Sequence, residues 1–468
     1  MAESSNSAAA SGPAQSAAST SAPKPSNPAF RMLGMPNLRM KLPSRNWMIF
    51  FTITGSFAAA IIYDRREKRR AQQKWCDLVA HISKEHLPIE QTRRKINVFL
   101  SAPPGDGLRI ARDHFKEYVK PILVAAALDY QVIEGRREGD IRAGYAERIR
   151  KWRRKAGEPT TVVEDPTVED VVFAARTQMG VIEEPGPKGD LVIGRHTWKE
   201  YVRGLHEGWL GPLDPPPPPP PTEEPAPAES STPAAEASSE AKEGDANAPE
   251  QEKKEEKPAK PVGPTPAYIS TSDYSSQPLP RTIPETLSGS VPIAFPHILG
   301  FLNTPIRLYR YLNQRHMAES VGRDVAAIVL ASYSRPYNTG SGSSDASPIS
   351  SDDTLGSTTY EQQTVLEEEE KEWHKSVHRK DEANPDKERE WLDDIVIDPR
   401  LASRMHRYSI SPEEEARAQR ILEGQEYILG QERPVPVPFW KRMWVKYGYG
   451  EDEETLRRKP ILGNLDEE

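Results

Sequence analysis

Residues 95–133 read KINVFLSAPPGDGLRIARDHFKEYVKPILVAAALDYQVI. Two short apolar runs, Ile96–Leu100 and Tyr130–Ile133, flank a Pro/Gly loop at Ser101–Gly107 and a stretch with apolar residues at Ile110, Phe115, Val119, Ile122 and Leu123. A short apolar run bounded by turn residues is the pattern of a buried strand, and recurrence every three or four residues is that of a helix. Strand, loop, helix, strand predicts a parallel α/β sheet, because two parallel strands need a crossover between them. Pro121 falls inside the helical stretch Leu108–Ala127, where its missing N–H is expected to bend or divide the helix.

Outward toward the N-terminus, Trp47–Tyr63 (WMIFFTITGSFAAAIIY) is a long run without a charge. At ~1.5 Å per residue it reaches about 26 Å, a little short of a ~30 Å hydrocarbon core, so it reads as a membrane span whose flanking side chains help to anchor its ends. Trp47 and Tyr63 stand at the borders, where amphipathic rings favour the headgroup level. A buried core helix or a signal peptide is the alternative, but no small-residue cleavage site follows and the run ends in DRREKRR, residues 64–70. Gly55 and Ala59 are four apart, as are Ser56 and Ala60, which sets small side chains on one face where another helix can pack closely. The bases that follow, Arg65, Arg66, Lys68, Arg69, Arg70 and Lys74, are expected to sit on anionic lipid such as cardiolipin at ~1 kcal/mol each.

Residues 1–45 are rich in Ser and Ala and carry Lys24, Arg31, Arg39, Lys41 and Arg45 against the single acid Glu3. That is the composition of a mitochondrial presequence before an anchor, with a disordered cytosolic tail as the alternative. Bases flank both ends of the span, and their count alone would put the C-terminal body inside. The chain of 468 residues has 45 prolines, 28% charged residues, a net charge of −8 and a mean hydropathy of −0.70, so about half of it is expected to be ordered. The acidic balance argues against a nucleic-acid partner. One cysteine, Cys76, excludes a disulfide framework or a thiolate zinc site built within the chain, and it is read as an inert small residue.

The pattern divides the chain into a tail (1–45), a transmembrane helix (46–64), a soluble α/β domain in two parts (65–213 and 263–335), linkers at 214–262 and 336–390, and a C-terminal block (391–468). Helices are expected at Ala71–Arg94, Asp140–Lys155 and Thr197–Glu207, with helix or strand at Val168–Met179 and a strand at Leu191–Ile193. The Pro215–Pro221 run reads as a stiff spacer, or else a docking segment for proline-binding partners. Thr304-Pro305 reads as a helix start, with Leu308, Tyr309 and Leu312 turned inward. Val325–Ala331 (VAAIVLA) reads as a strand returning to the sheet, and Glu367–Glu370 opens an acidic helix. Ser411-Pro412-Glu413 starts a helix that Gly424 caps. PVPVPFWKRMWVKYGYG, residues 434–450, reads as extended, with Phe439, Trp440 and Trp444 either strapped onto the body or presented to a partner.

Enzyme signatures are weak. The sequence holds no G-x-S-x-G elbow, no G-x-x-x-x-G-K-[ST] loop and no H-E-x-x-H helix. Gly105 and Gly107 follow a strand, but the third glycine of a dinucleotide fingerprint would fall at Ile110. Residues 98–140 resemble the first strand, loop, helix and strand of diacylglycerol-kinase-type lipid kinases, without the second glycine-rich motif, G-G-D-G-T, of those enzymes. That leaves a membrane-anchored lipid or nucleotide kinase-like enzyme as an alternative. His374 and His378 are four apart, but no third metal ligand is indicated.

Four blocks are similar to one family: residues 42–70, LPSRNWMIFFTITGSFAAAIIYDRREKRR; residues 95–123; residues 192–213, VIGRHTWKEYVRGLHEGWLGPL; and residues 296–331, PHILGFLNTPIRLYRYLNQRHMAESVGRDVAAIVLA. The chain resembles the fungal fifty-four-kilodalton subunit of the mitochondrial inner-membrane carrier translocase. The resemblance implies a single-span inner-membrane protein with its N-terminus in the matrix and its mass in the intermembrane space. It also implies a non-enzymatic scaffold, with no cofactor, that stabilises the channel-forming subunit inserting multispanning carriers. Its soluble domain would dock the small intermembrane-space chaperones, and a role in assembling an inner-membrane AAA protease is attached to the family as well.

Overall fold

The computed structural model describes residues 44–161, 168–184, 188–215, 264–340, 359–378, 389–426, 428 and 437–447. Residues 1–43 of the tail, most of the proline run, the linker to 263, the Gly/Ser loop from 341, and residues 434–436 and 448–450 of the aromatic segment lie outside the described residues. Internal contacts divide the chain into Met1–Ala60 and Ile61–Glu468.

Helix α1, Arg45–Lys84, contributes to both units. In the first, its apolar residues are exposed, and Thr52, Thr54 and Ser56 return their hydroxyls to the carbonyls of Ile49, Phe50 and Ile53 at 2.8, 2.8 and 2.9 Å. This internal bonding removes the cost of a hydroxyl in lipid. The helix expected to continue outward over Ala71–Arg94 is the last part of α1, which ends earlier, at Lys84. No glycine or proline interrupts the chain between Tyr63 and Lys84, and the helix stops short of Pro88.

The second unit is built on a six-stranded sheet. Its strands are β1 (Lys95–Ser101), β2 (Asp129–Gly135), β3 (Gly189–Ile193), β4 (Gly289–Ile293), β5 (Tyr333–Pro336) and β6 (His406–Ser409). Their order is β2-β1-β3-β4-β6-β5, parallel throughout except for the β6/β5 pair. Val98 stands opposite Val132 on one side and Leu191 on the other. Two-residue pairs at Gln91–Thr92 with Ile182–Glu183 and at Thr339–Gly340 with Thr359–Tyr360 lie outside the main sheet.

Alternation along β1 feeds two cores. Ile96, Val98 and Leu100 pack with Trp75, Leu78, Val79 and Ile82 of α1, whereas Phe99 packs on the other face with Ile141, Tyr145, Trp198 and Tyr201. The β1–β2 crossover is α2 (Leu108–His114), a π turn (Phe115–Val119) and α3 (Lys120–Ala125). The π turn absorbs Pro121, and the Glu117 carbonyl that Pro121 cannot serve accepts from Gln72 Nε2 at 2.8 Å.

The longer remaining helices are α4 (Asp140–Lys155), α5 (Val168–Gln178), α6 (Arg195–Leu210), α7 (Thr304–Tyr311), α8 (Gln314–Leu330), α9 (Pro412–Glu423) and α10 (Phe439–Tyr447), beside single turns at Glu361–Thr364 and Pro399–Ala402. Helix α6 is buried on every side and crosses α4 closely, since a Cβ on Gly204 would lie 2.8 Å from the Arg142 carbonyl oxygen. Ser411 and Glu414 form the expected capping box on α9, and Gly424 ends it with φ 79°.

Four expectations are corrected. Val325–Ala331 is not a strand, because residues 325–330 are the last turns of α8, a helix buried against the sheet. An apolar run that is buried all round loses the periodicity that separates strand from helix. Leu308 and Tyr309 do not turn inward; they are 46% and 69% exposed, while Leu312 is half-buried. The acidic run Glu367–Glu372 is a 3₁₀ turn. Residues 439–447 are helical rather than extended, and Phe439, Trp440 and Trp444 are 66%, 81% and 69% exposed, so these rings are not strapped onto the body.

Candidate functional site

The span presents Gly55 with open space where its Cβ would be, Ala59 exposed and Ala60 half-buried. Ser56 is exposed, with its hydroxyl bonded inside its own helix. Trp47 packs edge-on to Phe50, their ring centroids 5.8 Å apart. Tyr63 lies under the Arg315 guanidinium, 5.5 Å from its ring centroid.

The basic segment after the span is split by the helical period. Arg65, Arg66, Arg69 and Arg70 point outward and are exposed, whereas Lys68 and Lys74 are buried on the face that carries Asp64, Trp75, Leu78 and Ile82. Lys68 pairs with Glu117 and donates to Tyr118 Oη at 3.0 Å and Gln314 Oε1 at 2.9 Å. Lys74 pairs with Glu319 and lies 4.4 Å over the Trp75 ring. The Asp64 carboxylate accepts from the backbone N–H groups of Gln314 and Arg315, both at 3.2 Å, and so fills the orphan donors that start α8. Helical spacing counted from Trp75 would have separated these inward residues from the outward arginines; reading the bases as one run did not.

The sheet order reverses between β1 and β3, and a doubly wound fold places its ligand crevice outside the carboxyl ends of such strands. Here the crevice is filled by the chain itself. Glu369 Oε2 accepts from the Arg195 N–H at 2.9 Å at the start of α6, and its Oε1 accepts from the Phe295 N–H at 2.6 Å. Burial first of all raises the Glu369 carboxyl to about 7. The Arg195 side chain holds the same segment, donating from Nε to Glu370 Oε1 and from Nη1 to the Val365 carbonyl, each at 2.6 Å. Lys199 adds a 2.9 Å pair with Glu370.

Beneath this plug, His196 lies 3.2 Å from the Ser101 carbonyl oxygen, and burial lowers it to about 4, a neutral imidazole at physiological pH. The 101–107 loop is closed in a similar way. Asp106 Oδ1 accepts from the Gly107 N–H at 2.7 Å, and Asp106 Oδ2 faces His297 Nε2 at 3.5 Å. Gly105 adopts φ 86° against Leu299. The Gly107 amide that a phosphate-approaching loop would offer is thus used by the Asp106 carboxylate, and the Asp106 amide by the Pro103 carbonyl at 3.0 Å. Sequence reasoning missed Glu369: the run EEEE was visible, but nothing local links it to Arg195, 174 residues away.

His374 and His378 are exposed, and His374 Nδ1 is engaged by Ser376 Oγ at 2.7 Å. Among the described residues no group of three His, Cys, Asp or Glu could hold a metal ion. Cys76 is half-buried, and burial, reinforced by Asp77, pushes its thiol up to about 11.

A helix with an apolar segment of membrane-span length, whose later turns are core of a doubly wound α/β domain with a self-filled crevice, defines a membrane-anchored α/β protein. The sequence profile of the inner membrane protein import complex subunit Tim54 matches residues 27–408, and the chain belongs to that family. It is 70% identical over 451 residues to the mitochondrial import inner membrane translocase subunit tim54 of Aspergillus oryzae, covering 93% of this chain and 99% of that one. The Neurospora crassa protein of the same description is 47% identical over 419 residues, covering 87% and 86%. The Saccharomyces cerevisiae subunit is 27% identical over 487 residues, covering 83% and 95%. This is a subunit of the mitochondrial inner-membrane import translocase.

Proposed function

We propose that the chain is a non-enzymatic scaffold of that translocase, anchored by residues 47–63 with its N-terminus in the matrix and its α/β domain in the intermembrane space. The small-residue face at Gly55 and Ala59 packs against the channel-forming subunit, and the domain docks the small chaperones that carry multispanning substrates. A tethered docking domain raises the local concentration of such chaperones at the channel without any bond chemistry. Arg65, Arg66, Arg69 and Arg70 rest on anionic lipid such as cardiolipin, while Lys68 and Lys74 hold the fold. The observation that carries the non-enzymatic reading is the Glu369 carboxylate bonded to the Arg195 and Phe295 N–H groups, in the place where a kinase-like lobe would need to receive a phosphate.

The test is native-gel and crosslinking analysis of mitochondria carrying Gly55→Leu with Ala59→Leu, beside a separate Gly107→Ala variant whose new methyl meets open space. The span variant is expected to lose the large membrane complex and carrier insertion, and the loop variant to keep both. An intact complex in the span variant, with the loop variant alone defective at normal abundance, would sink the scaffold reading. Protease digestion of mitoplasts checks the orientation: the α/β domain is expected to be cut once the outer membrane is opened.

A further inference from the structure

The segment from Gly300 to Tyr311 is built inside out. A 3₁₀ turn at Phe301–Asn303 leads into α7, and neither buries a single residue. Phe301 and Leu302 are 89% and 91% exposed, and Ile306, Leu308 and Tyr309 also face outward. The contacts that hold the segment are polar. Asn303 Nδ2 donates to the Leu299 carbonyl at 2.7 Å, Arg310 makes a two-pronged pair with Glu372, one prong at 2.8 Å, and Arg65 reaches Tyr311 Oη at 3.4 Å. A surface helix in water shows the opposite arrangement, apolar toward the body and polar toward solvent.

Its place in the chain gives the reason. Helix α7 runs into α8 at Asn313, and the start of α8 is tied to Asp64 and to Tyr63, where the apolar run of α1 ends and the chain leaves the lipid. Eight helical residues span roughly 12 Å, so the outward apolar residues lie a short distance from that exit. Exposed Arg307 stands on α7 itself, and exposed Arg65 and Arg69 line a cleft with Tyr311 at the end of that helix. Aromatic and aliphatic side chains mixed with arginines, beside a span exit, are what the boundary between headgroups and acyl chains accepts. We infer that Phe301, Leu302 and the outer face of α7 insert into the surface of the bilayer that the chain's own span crosses, with anionic headgroups met by Arg307, Arg65 and Arg69. This rests on the membrane-anchored reading above.

The test uses the full chain in a Cys76→Ser background, reconstituted alone into phosphatidylcholine vesicles containing cardiolipin, with one new cysteine labelled by an environment-sensitive nitrobenzoxadiazole dye. Leu302→Cys probes the surface, Phe57→Cys the span and Ser276→Cys an exposed site elsewhere on the domain. The expected result is a blue shift at Leu302 and loss of its emission to brominated lipid, greater for bromines near the headgroups than for bromines at the bilayer centre. Phe57 is expected to be quenched and Ser276 to be unaffected. If Leu302 behaves like Ser276 while Phe57 is quenched, the inference is overturned and the surface belongs to a protein partner. If Phe57 itself escapes quenching, the anchored reading fails, and this inference with it.

Discussion

The Trp75 indole occupies the space that a side chain at Gly322 would need, since a Cβ there would fall inside the van der Waals envelope of Trp75 Cδ1. The helix that emerges from the span is thereby seated on α8, and Trp75 Nε1 donates to Glu319 Oε2 at 3.2 Å along the same seam. Gly322→Val is expected to cost ~1–3 kcal/mol by overpacking, and Trp75→Ala ~3–5 kcal/mol by leaving a cavity. Denaturant unfolding measures both. An unchanged midpoint for Gly322→Val would refute the contact.

The split among the bases after the span makes opposite forecasts for its two halves. Lys68→Met is expected to lower stability by ~1–3 kcal/mol, because Tyr118, Gln314 and Glu117 lose their shared donor; Glu117 is half-exposed, so water softens the loss. Changing Arg65, Arg66, Arg69 and Arg70 together to Gln is expected to shift stability by less than about 1 kcal/mol. The same change should weaken binding to anionic vesicles by up to ~4 kcal/mol. Thermal melting and vesicle sedimentation separate the two effects.

Glu200 gives the domain a pH dependence of known sign. Burial above all, and Glu390 after it, raise its carboxyl from 4.5 to about 8 while it accepts from the Ile141 N–H at 2.9 Å and Trp391 Nε1 at 2.6 Å. A folded-state pKa above the unfolded one stabilises the fold at low pH, and that stabilisation fades as pH rises toward 8. His206, held neutral by burial at about 4, acts the other way: its contribution is present above 6.5 and is lost as pH falls toward 4. The parent is therefore to be compared with Glu200→Gln. Its stability relative to the variant is expected to fall by the order of a few kcal/mol as pH rises from about 5 to 8, and then to level off. A difference that does not vary with pH would remove Glu200 from the account.

Cys76 is expected to be a slow thiol. With its pKa at about 11 rather than 9.0, the thiolate fraction near neutral pH drops by about a hundredfold. Iodoacetamide should label the folded chain far more slowly than the urea-unfolded chain, and equal rates would contradict the burial.

What was legible in the sequence depends on local physics. Tyr63 ends an apolar run because the next seven residues are charged, and Pro121 marks the crossover through its own missing N–H. Ser411 and Glu414 cap α9 because they stand three positions apart. The span, the β1–β2 unit and the caps are each fixed by neighbours within a few turns, and so a single sequence determines them. The tertiary structure decided the rest, because each remaining feature needs a partner far along the chain. Val325–Leu330 is helix rather than strand because α8 is covered by α1 and the sheet. Lys68 and Lys74 turn inward because Glu117 and Glu319 wait there. Leu308 and Tyr309 face out because Arg310 is held by Glu372, and the crevice is closed because folding carries Glu369 to the Arg195 N–H. Hydropathy and spacing report a residue's own preferences; which distant group satisfies them is set when the sheet forms and brings those groups together.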